Sequence, residues 1–291
     1  MLVSSKQILE KARREHYGVG AFNALDISTV DAIITAAEET GTPIIVQFGD
    51  VLDPAAAESR RMSYFEACNF MHFLKYRAEV SPVPVAIHLD HCRTYEGCIR
   101  AMQFGATSVM IDGSMLDFEE NIRLTQRVVR EARPCGVTVE AEIGHVAGHA
   151  GDTTGDLYTT VEEAVRFYEQ TGTDLLAVAV GTVHGVYKSK PQLQYERIEE
   201  LRGAIPAPLV MHGASGLEPE QYRECVERGI TKINFATYML LAGAAGMKRC
   251  LEEAEDGTVP FQTVLKAGVE AEKDIIRKHI EYFCTKKAVE I

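Results

Sequence analysis

Basic charge is in short supply. Lysine and arginine number 30 against 42 acidic residues, a formal net charge of −12. That argues against a nucleic-acid or polyanion surface, but not against a local pocket for an anionic substrate. The cysteines, at 68, 92, 98, 135, 225, 250 and 284, are odd in number and show no paired spacing. Such a scatter reads as reduced thiols in a cytoplasmic protein, not as a disulfide framework. Met1–Lys6 contains no signal-peptide apolar region, and no apolar run is long enough to span a bilayer, so a cytoplasmic location with no membrane partner is expected. A linker or composition break is also missing, as is a Gly-x-Gly-x-x-Gly after the first strand, which weakens a doubly wound dinucleotide-type sheet. The chain is 291 residues long and 46% hydrophobic. It is therefore large enough for one domain, 1–291, with a full core.

What is present is an alternation of short apolar runs with helical patterns. Strands are expected at 18–23, 43–48, 83–89, 107–111, 136–142, 174–180, 208–211 and 231–235. Their runs are nearly continuous, as for parallel strands buried on both faces. Helices are expected at 6–14, 28–40, 64–80, 95–104, 118–132, 160–171, 194–202 and 219–228, with two further helices, 239–255 and 260–283, closing the chain. Residues 50–62 read as a loop. So does 144–156, which is glycine-rich, polar and without periodicity. Eight strands alternating with helices predict an α/β fold, a single (β/α)8 TIM barrel with extra C-terminal helices.

In such a barrel the C-terminal strand ends converge on one face, where the chemistry sits. Asn23, Asp90, His91, Asp112, Glu142, His184, His212 and Asn234 all fall at or just after those ends. An apolar strand that ends in an imidazole or carboxylate must solvate, pair or ligate it. His91, His184 and His212 together suit zinc with one position left open, although cobalt, manganese or iron would accept similar ligands. His88, inside its strand, reads as a supporting or core group. Cys92 reads as a small core hydrophobe in preference to a ligand. His16, His72 and His279 read as surface residues. Asp90 and His91 are neighbours, so alternation sends their side chains to different sides of the strand. Asp90 is then a candidate for proton transfer, or alternatively a carboxylate that orients a histidine. Glu142 is a candidate additional ligand. Glu140 shares its parity, and spacing alone does not separate the two.

A phosphate site is the second theme. Gly213-Ala214-Ser215-Gly216 follows strand seven and Asn234-Phe235-Ala236-Thr237 follows strand eight, the loops that often bind phosphate in barrels. Small residues let backbone N–H groups approach the oxygens, and Ser215 and Thr237 add hydroxyls. A metal beside phosphate suggests a phosphorylated carbonyl substrate and an enediolate. Aldol cleavage, enolisation and epimerisation all share that intermediate.

Six stretches together resemble the class II, zinc-dependent ketose-bisphosphate aldolases of the fructose- and tagatose-bisphosphate type. They are Ile87–His91, Met110–Ser114, Val139–Gly144, Val180–Tyr187, His212–Gly216 and Lys232–Thr237. The likeness runs in order from about Phe22 to the final helix. It implies a (β/α)8 barrel, usually a homodimer or homotetramer. The implied reaction is reversible cleavage of a phosphorylated ketose to dihydroxyacetone phosphate and an aldehyde. It also implies His91, His184 and His212 as zinc ligands, with Glu142 as an alternative ligand and Asp112 as a further metal-site carboxylate. Asp90 resembles the proton donor to the aldehyde oxygen. Asn23, Gly185, Gly213, Ser215, Asn234 and Thr237 resemble substrate contacts. Carbonyls near Val183 and Gly213 resemble a site for a monovalent cation, Na+ or K+.

The chain departs from the pattern at the loop after strand five. There the family carries acidic residues, one of them the proposed base, and this chain reads Gly148-His149-Ala150-Gly151-Asp152. His149 is the candidate base, with His145 and Asp152 as alternatives, since imidazole suits proton transfer near neutral pH. The family's Asp-x-Ser-His is Asp112-Gly113-Ser114-Met115 here, and the Phe48-Gly49-Asp50 turn differs as well. Lys273 or Arg277 is expected at the acceptor end. A retained metal and phosphate set with an altered loop predicts the same donor half and a different aldehyde. The alternatives are an ordinary fructose- or tagatose-1,6-bisphosphate aldolase, a metal-dependent sugar-phosphate epimerase or isomerase, and a non-catalytic sugar-phosphate binder.

Overall fold

The computed structural model describes residues 1–49, 64–144, 158–187, 190–254 and 258–288. Its centre is a closed barrel of eight strands in sequence order, every neighbouring pair parallel. The strands are β1 (Val19–Asn23), β2 (Ile44–Phe48), β3 (Val85–Cys92), β4 (Ser108–Ile111), β5 (Thr138–Ile143), β6 (Leu175–Val178), β7 (Leu209–Met211) and β8 (Ile230–Phe235). Crossing between them are α2 (Ile27–Thr40), α3 (Tyr64–Val80), α4 (Tyr95–Gln103), α5 (Phe118–Ala132), α6 (Val161–Thr171), α7 (Tyr195–Ala204) and α8 (Pro219–Arg228). After β8 the chain forms two long antiparallel helices, α9 (Thr237–Glu252) and α10 (Phe261–Tyr282). Gly246 of α9 lies against Ala267 and Ala271 of α10. The expected barrel with extra C-terminal helices is the observed architecture.

Alternate residues of each strand face in and out. The outward set, among it Phe22, Val46, Ile87, Val109, Val139, Leu176, Leu209 and Ile233, is buried against the helices. The inward set changes character along the barrel axis. At the N-terminal end Val19, Ala21, Ile45, Ala86, Leu175, Ala177 and Val210 form a second apolar cluster with Ile8, Leu9 and Ala12. These last three belong to α1 (Ser5–Glu15), which plugs the bottom of the barrel. Ser4 caps α1 in a reciprocal capping box with Gln7, satisfying two otherwise orphaned N–H groups. Above the plug the inward residues turn polar: Gln47, His88, Ser108, Glu140 and Lys232 are all buried.

β3 outruns its sequence expectation. It continues through Asp90 and His91 to Cys92, and its pairing with β4 slips by one residue between Leu89 and Cys92. His91 sits in the left-handed region, φ 49°. This bulge adds one residue and re-aims the side chains beyond it, and it overturns the simple alternation expected of Asp90 and His91. Cys92 turns outward into the helix-facing core, its thiol donating to the Thr94 carbonyl at 3.3 Å.

Two further expectations fail. His279 is buried among Tyr222, Phe235, Tyr282 and Phe283, not on the surface, and burial lowers its pKa to about 4. Lys273 and Arg277 both pair with Glu39, at the C-terminal end of α2. Because α2 leaves the mouth of the barrel after β1, its far end lies on the opposite side from the strand C-termini. Neither cation reaches an acceptor there. Among the described residues no helix is long and apolar enough to cross a membrane.

Candidate active site

The C-terminal mouth gathers the three histidines predicted from the strand ends. Ligating atoms of His91, His184 and His212 lie within 4.8 Å of one another, as do those of His91, Asp112 and Glu142. The individual contacts fix which nitrogen points where. His91 Nδ1 is 3.0 Å from Asp112 Oδ2. Asp112 Oδ1 in turn accepts from the Ser114 hydroxyl at 2.6 Å and its amide at 3.1 Å. On the other wall, His212 Nε2 is 2.8 Å from Glu140 Oε1. Each carboxylate is an acceptor when ionised, so these rings donate from Nδ1 and Nε2 respectively.

Those tautomers leave His91 Nε2 and His212 Nδ1 as lone pairs facing each other across 2.9 Å. Two facing lone pairs at that distance are repulsive, so either a proton or a metal ion must lie between or beside them. Glu142 Oε2, 3.5 Å from His212 Nδ1, adds negative charge at the same point. Three imidazoles, an adjacent carboxylate and a carboxylate partner behind two of the rings are what a catalytic zinc requires. The donor set fits a zinc ion.

The electrostatics show the same demand for positive charge between the rings: without a metal ion, a proton on His91 Nε2, donated to His212 Nδ1, supplies it. Burial opposes a charge on His91, but Asp90, then Asp112 and Glu142, outweigh it and push its pKa up to about 9. His212 moves the other way: burial, with His91 and Lys232 nearby, holds it well below its ordinary value. Burial alone would raise Asp90, yet His91, His212, Lys232 and the Asn23 amide keep it below the usual carboxylate value.

Beside the histidines, Asp90 is held by three amides. Asn23 Nδ2 donates to its Oδ2 at 3.0 Å, Gln47 Nε2 to the same oxygen at 3.3 Å, and Asn234 Nδ2 to Oδ1 at 3.1 Å. Gln47 Nε2 also donates to Asn23 Oδ1 at 2.7 Å, which fixes that amide's orientation. The opposite edge carries the small-residue loops. Gly213 follows His212 with φ +63°, and its carbonyl accepts the Tyr187 hydroxyl at 2.7 Å. Ser215 Oγ accepts the Ala236 amide at 3.1 Å. Thr237 opens α9 directly, so its hydroxyl sits at a helix N-terminus, where the dipole favours an anion. Gly185 follows His184 with φ +88° and open space at its Cβ position. His149, with His145 and Asp152, lies outside the described residues.

Structure separates what parity left together. Glu142 lies at the mouth with His91 and His212, whereas Glu140 is one level deeper, against His212 Nε2, His88 and Lys232. His88 supports from within the strand layer: Nδ1 is 2.8 Å from Ser108 Oγ and Nε2 is 3.6 Å from Glu140 Oε2. Sequence reasoning gave no role to Gln47, Lys232 or Tyr187. A glutamine amid apolar Ile44–Phe48, and a lysine two residues before Asn234 in the same strand, were the available signals.

The profile described as "Fructose-bisphosphate aldolase class-II" matches residues 3–288. The chain belongs to the class II fructose-bisphosphate aldolase family. It is thus an aldehyde-lyase of a zinc-dependent family that acts on phosphorylated sugars. A sulfofructosephosphate aldolase of Alkalicoccus urumqiensis is 38% identical over 285 residues, 97% of this chain and 96% of that one. A fructose-bisphosphate aldolase of Thermus caldophilus is 39% identical over 310 residues, covering 97% and 98%. Among solved structures, the YdjI aldolase of Escherichia coli K12 superposes over 100% of both chains with a TM-score of 0.86 and 33% identity.

Proposed function

We propose that this aldolase cleaves a ketose 1-phosphate or ketose bisphosphate to dihydroxyacetone phosphate and an aldehyde. The observation that carries the reading is the pair of facing imidazole nitrogens beside an amide-held Asp90. His91, His184 and His212 would hold the zinc, with Glu142 as a further ligand and Asp112 orienting His91 through Nδ1. When bound, zinc supplies Lewis-acid polarisation of the ketose carbonyl. The backbone amides of the Gly213–Gly216 loop, with Ser215 and Thr237 at the start of α9, bind the donor phosphate. Asn23 and Gly185 line the sugar. Na+ or K+ has the carbonyls of Val183 and Gly213 as its candidate ligands, the latter also accepting from Tyr187.

In the cleavage direction Asp90, ionised and held by Asn23, Gln47 and Asn234, takes the proton of the hydroxyl on the carbon that becomes the aldehyde. The C–C bond breaks, the aldehyde leaves, and the electron pair remains on the donor fragment as an enediolate. A residue of the segment 145–157, with His149 as the candidate, then supplies a proton to the reacting carbon to give dihydroxyacetone phosphate. Condensation reverses each transfer, so Asp90 then donates to the aldehyde oxygen.

His149 and Ala150 stand where fructose- and tagatose-bisphosphate enzymes carry acidic or amide residues, so the acceptor aldehyde is proposed to differ from theirs. The named relatives act, by their names, on sulfofructose phosphate and on fructose bisphosphate, so more than one phosphorylated sugar is met among proteins similar to this chain. A coupled assay for dihydroxyacetone phosphate over ketose 1-phosphates and bisphosphates, with chelator and with added zinc, tests this. Zinc-dependent release establishes the donor half, and the preferred substrate names the aldehyde. Fructose 1,6-bisphosphate as the best substrate would overturn the acceptor argument. Release from none of them, with zinc bound, would leave epimerisation or mere binding. A homodimer or homotetramer is the assembly proposed, to be read from light scattering.

A further inference from the structure

Among the described residues, Lys232 is the one lysine whose side chain is fully buried. Its register partners on the neighbouring strands, Val19 and Val210, are both apolar. Its ammonium lies 3.0 Å from Glu140 Oε2 and donates to Asn234 Oδ1 at 2.7 Å. A buried ammonium demands such partners, and the partners are not incidental.

Lysine has donors only, so Asn234 must present its oxygen to Lys232. That choice turns the amide's Nδ2 toward Asp90 Oδ1, 3.1 Å away. The ammonium and the Asp90 carboxylate thus specify the amide from both ends, and without the ammonium only Asp90 does. The flipped amide would set an oxygen against a carboxylate. On its other side Lys232 neutralises Glu140, whose second oxygen receives His212 Nε2 at 2.8 Å. With Oε2 turned to the ammonium, Glu140 presents Oε1 as the acceptor for the His212 Nε2–H. His212 then keeps Nδ1 as a lone pair directed to His91 Nε2, 2.9 Å away.

We propose that Lys232 is a positioning residue: through Glu140 it sets the tautomer of the metal-facing His212, and through Asn234 it orients the Asp90 carboxylate. One buried cation thereby joins the metal-binding half of the mouth to the proton-transfer half. The activity arm of this proposal rests on the aldolase reading; the metal arm does not.

The first test needs no variant. In zinc-free protein with 15N-labelled histidine, where ligation does not impose the answer, His212 is expected as the Nε2–H tautomer; an Nδ1–H tautomer overturns the proposal. The second test compares Lys232→Met with Glu140→Gln/Lys232→Met. Lys232→Met leaves Glu140 uncompensated, so zinc affinity by chelator competition falls roughly 10- to 100-fold. In the double variant the interior is neutral again, and the substituted amide still offers an oxygen to His212 Nε2. Zinc affinity recovers to within about tenfold of wild type, while kcat stays low because Asn234 has lost its anchor, with KM for the ketose phosphate little changed. That split between zinc affinity and kcat is not produced by a merely structural ion pair. Wild-type zinc affinity and wild-type kcat in either folded variant overturn the proposal, and so does parallel recovery of both in the double variant. Should wild type release no dihydroxyacetone phosphate from any ketose phosphate, the aldolase reading fails, and the tautomer and zinc measurements still decide the metal arm.

Discussion

A single methyl group at Gly213 tests whether the two histidine-bearing segments share one wall. Gly213 follows His212, and the segment opposite it leads to His184. A Cβ built on Gly213 would lie 2.6 Å from the Val183 carbonyl carbon, 2.7 Å from its oxygen and 3.1 Å from the His184 amide nitrogen. All three are backbone atoms, so no side chain can rotate away. Restoring ordinary contact requires the Val183–His184 peptide to retreat by roughly 1 Å. The residue also sits at φ +63°, which costs an L-amino acid about 1–2 kcal/mol. Zinc–nitrogen distances tolerate only about ±0.2 Å, so a shift of that size in the peptide preceding His184 degrades the ligand set.

Gly213→Ala is therefore expected to lower stability of the zinc-free protein by about 2–4 kcal/mol, combining backbone strain with overpacking. It should also weaken zinc binding by at least about tenfold. Gly185→Ala is the control. Its φ is +88°, but nothing lies within 4 Å of the added Cβ. It should show the strain alone, about 1 kcal/mol, with zinc affinity kept within about threefold. Urea denaturation of the apo proteins and chelator competition for zinc read the two quantities. Gly213→Ala with wild-type zinc affinity, or with apo stability within about 0.5 kcal/mol of wild type, would refute the shared-wall argument.

Asp112→Ala leaves His91 Nδ1 without its carboxylate, so zinc affinity should drop roughly 10- to 100-fold while the far-UV spectrum is unchanged; an unaltered chelator competition curve would show that Asp112 does not orient the ring. Asp90→Asn should slow ketose-phosphate cleavage by about 10²- to 10⁴-fold at full zinc occupancy, measured by coupled dihydroxyacetone phosphate release and metal analysis, and near-normal turnover would remove Asp90 from proton transfer. Glu272 of α10 is buried against Gly243 of α9, and burial, with Asp26 adding to it, raises its pKa from 4.5 to about 7. The folded state binds that proton more tightly, so the stabilisation is full below about pH 4.5, fades as pH rises, and is gone above about pH 7. Its upper size is about 3 kcal/mol. Denaturation at pH 5 and pH 8 should therefore show a smaller pH dependence in Glu272→Gln than in wild type, and equal dependences would contradict it.

The barrel was legible because its local signals agree with one another. Continuous apolar runs of strand length, glycine-terminated helices and polar residues at strand ends all point to parallel strands with a common functional face. What was not legible depends on contacts distant in sequence. Nothing local tells that α1 plugs the barrel, since Ile8, Leu9 and Ala12 look like any amphipathic face until Ile45, Leu175 and Val210 are brought beneath them. His279 reads as a surface residue for the same reason: the rings that bury it come from β8, α8 and the end of α10. The extension of β3 was hidden because its apolar run stops at Leu89, while backbone pairing with β4 continues to Cys92. Glu140 and Glu142 share a parity, and only their height in the barrel separates them. That height comes from register: Glu140 pairs with Leu175 and Glu142 with Ala177.

The bulge at His91 explains why two adjacent residues serve one site. In a regular strand the Asp90 and His91 side chains would face opposite sides, and the imidazole would enter the helix-facing core. A left-handed residue breaks that constraint at a cost of about 1–3 kcal/mol for a non-glycine. The slip in register lets Cys92 resume the outward position opposite Ile111, so the outer core stays packed while His91 stays at the mouth. The same trade governs the layer beneath. Gln47, His88, Glu140 and Lys232 replace the apolar residues that would fill a barrel most stably. Each of the four touches either Asp90, a metal-facing histidine, or a residue that does. Departures from local preference are expected where function requires them. Here they occupy the mouth and the single level under it, and the α1 plug and helix-facing shell keep an ordinary apolar core around them.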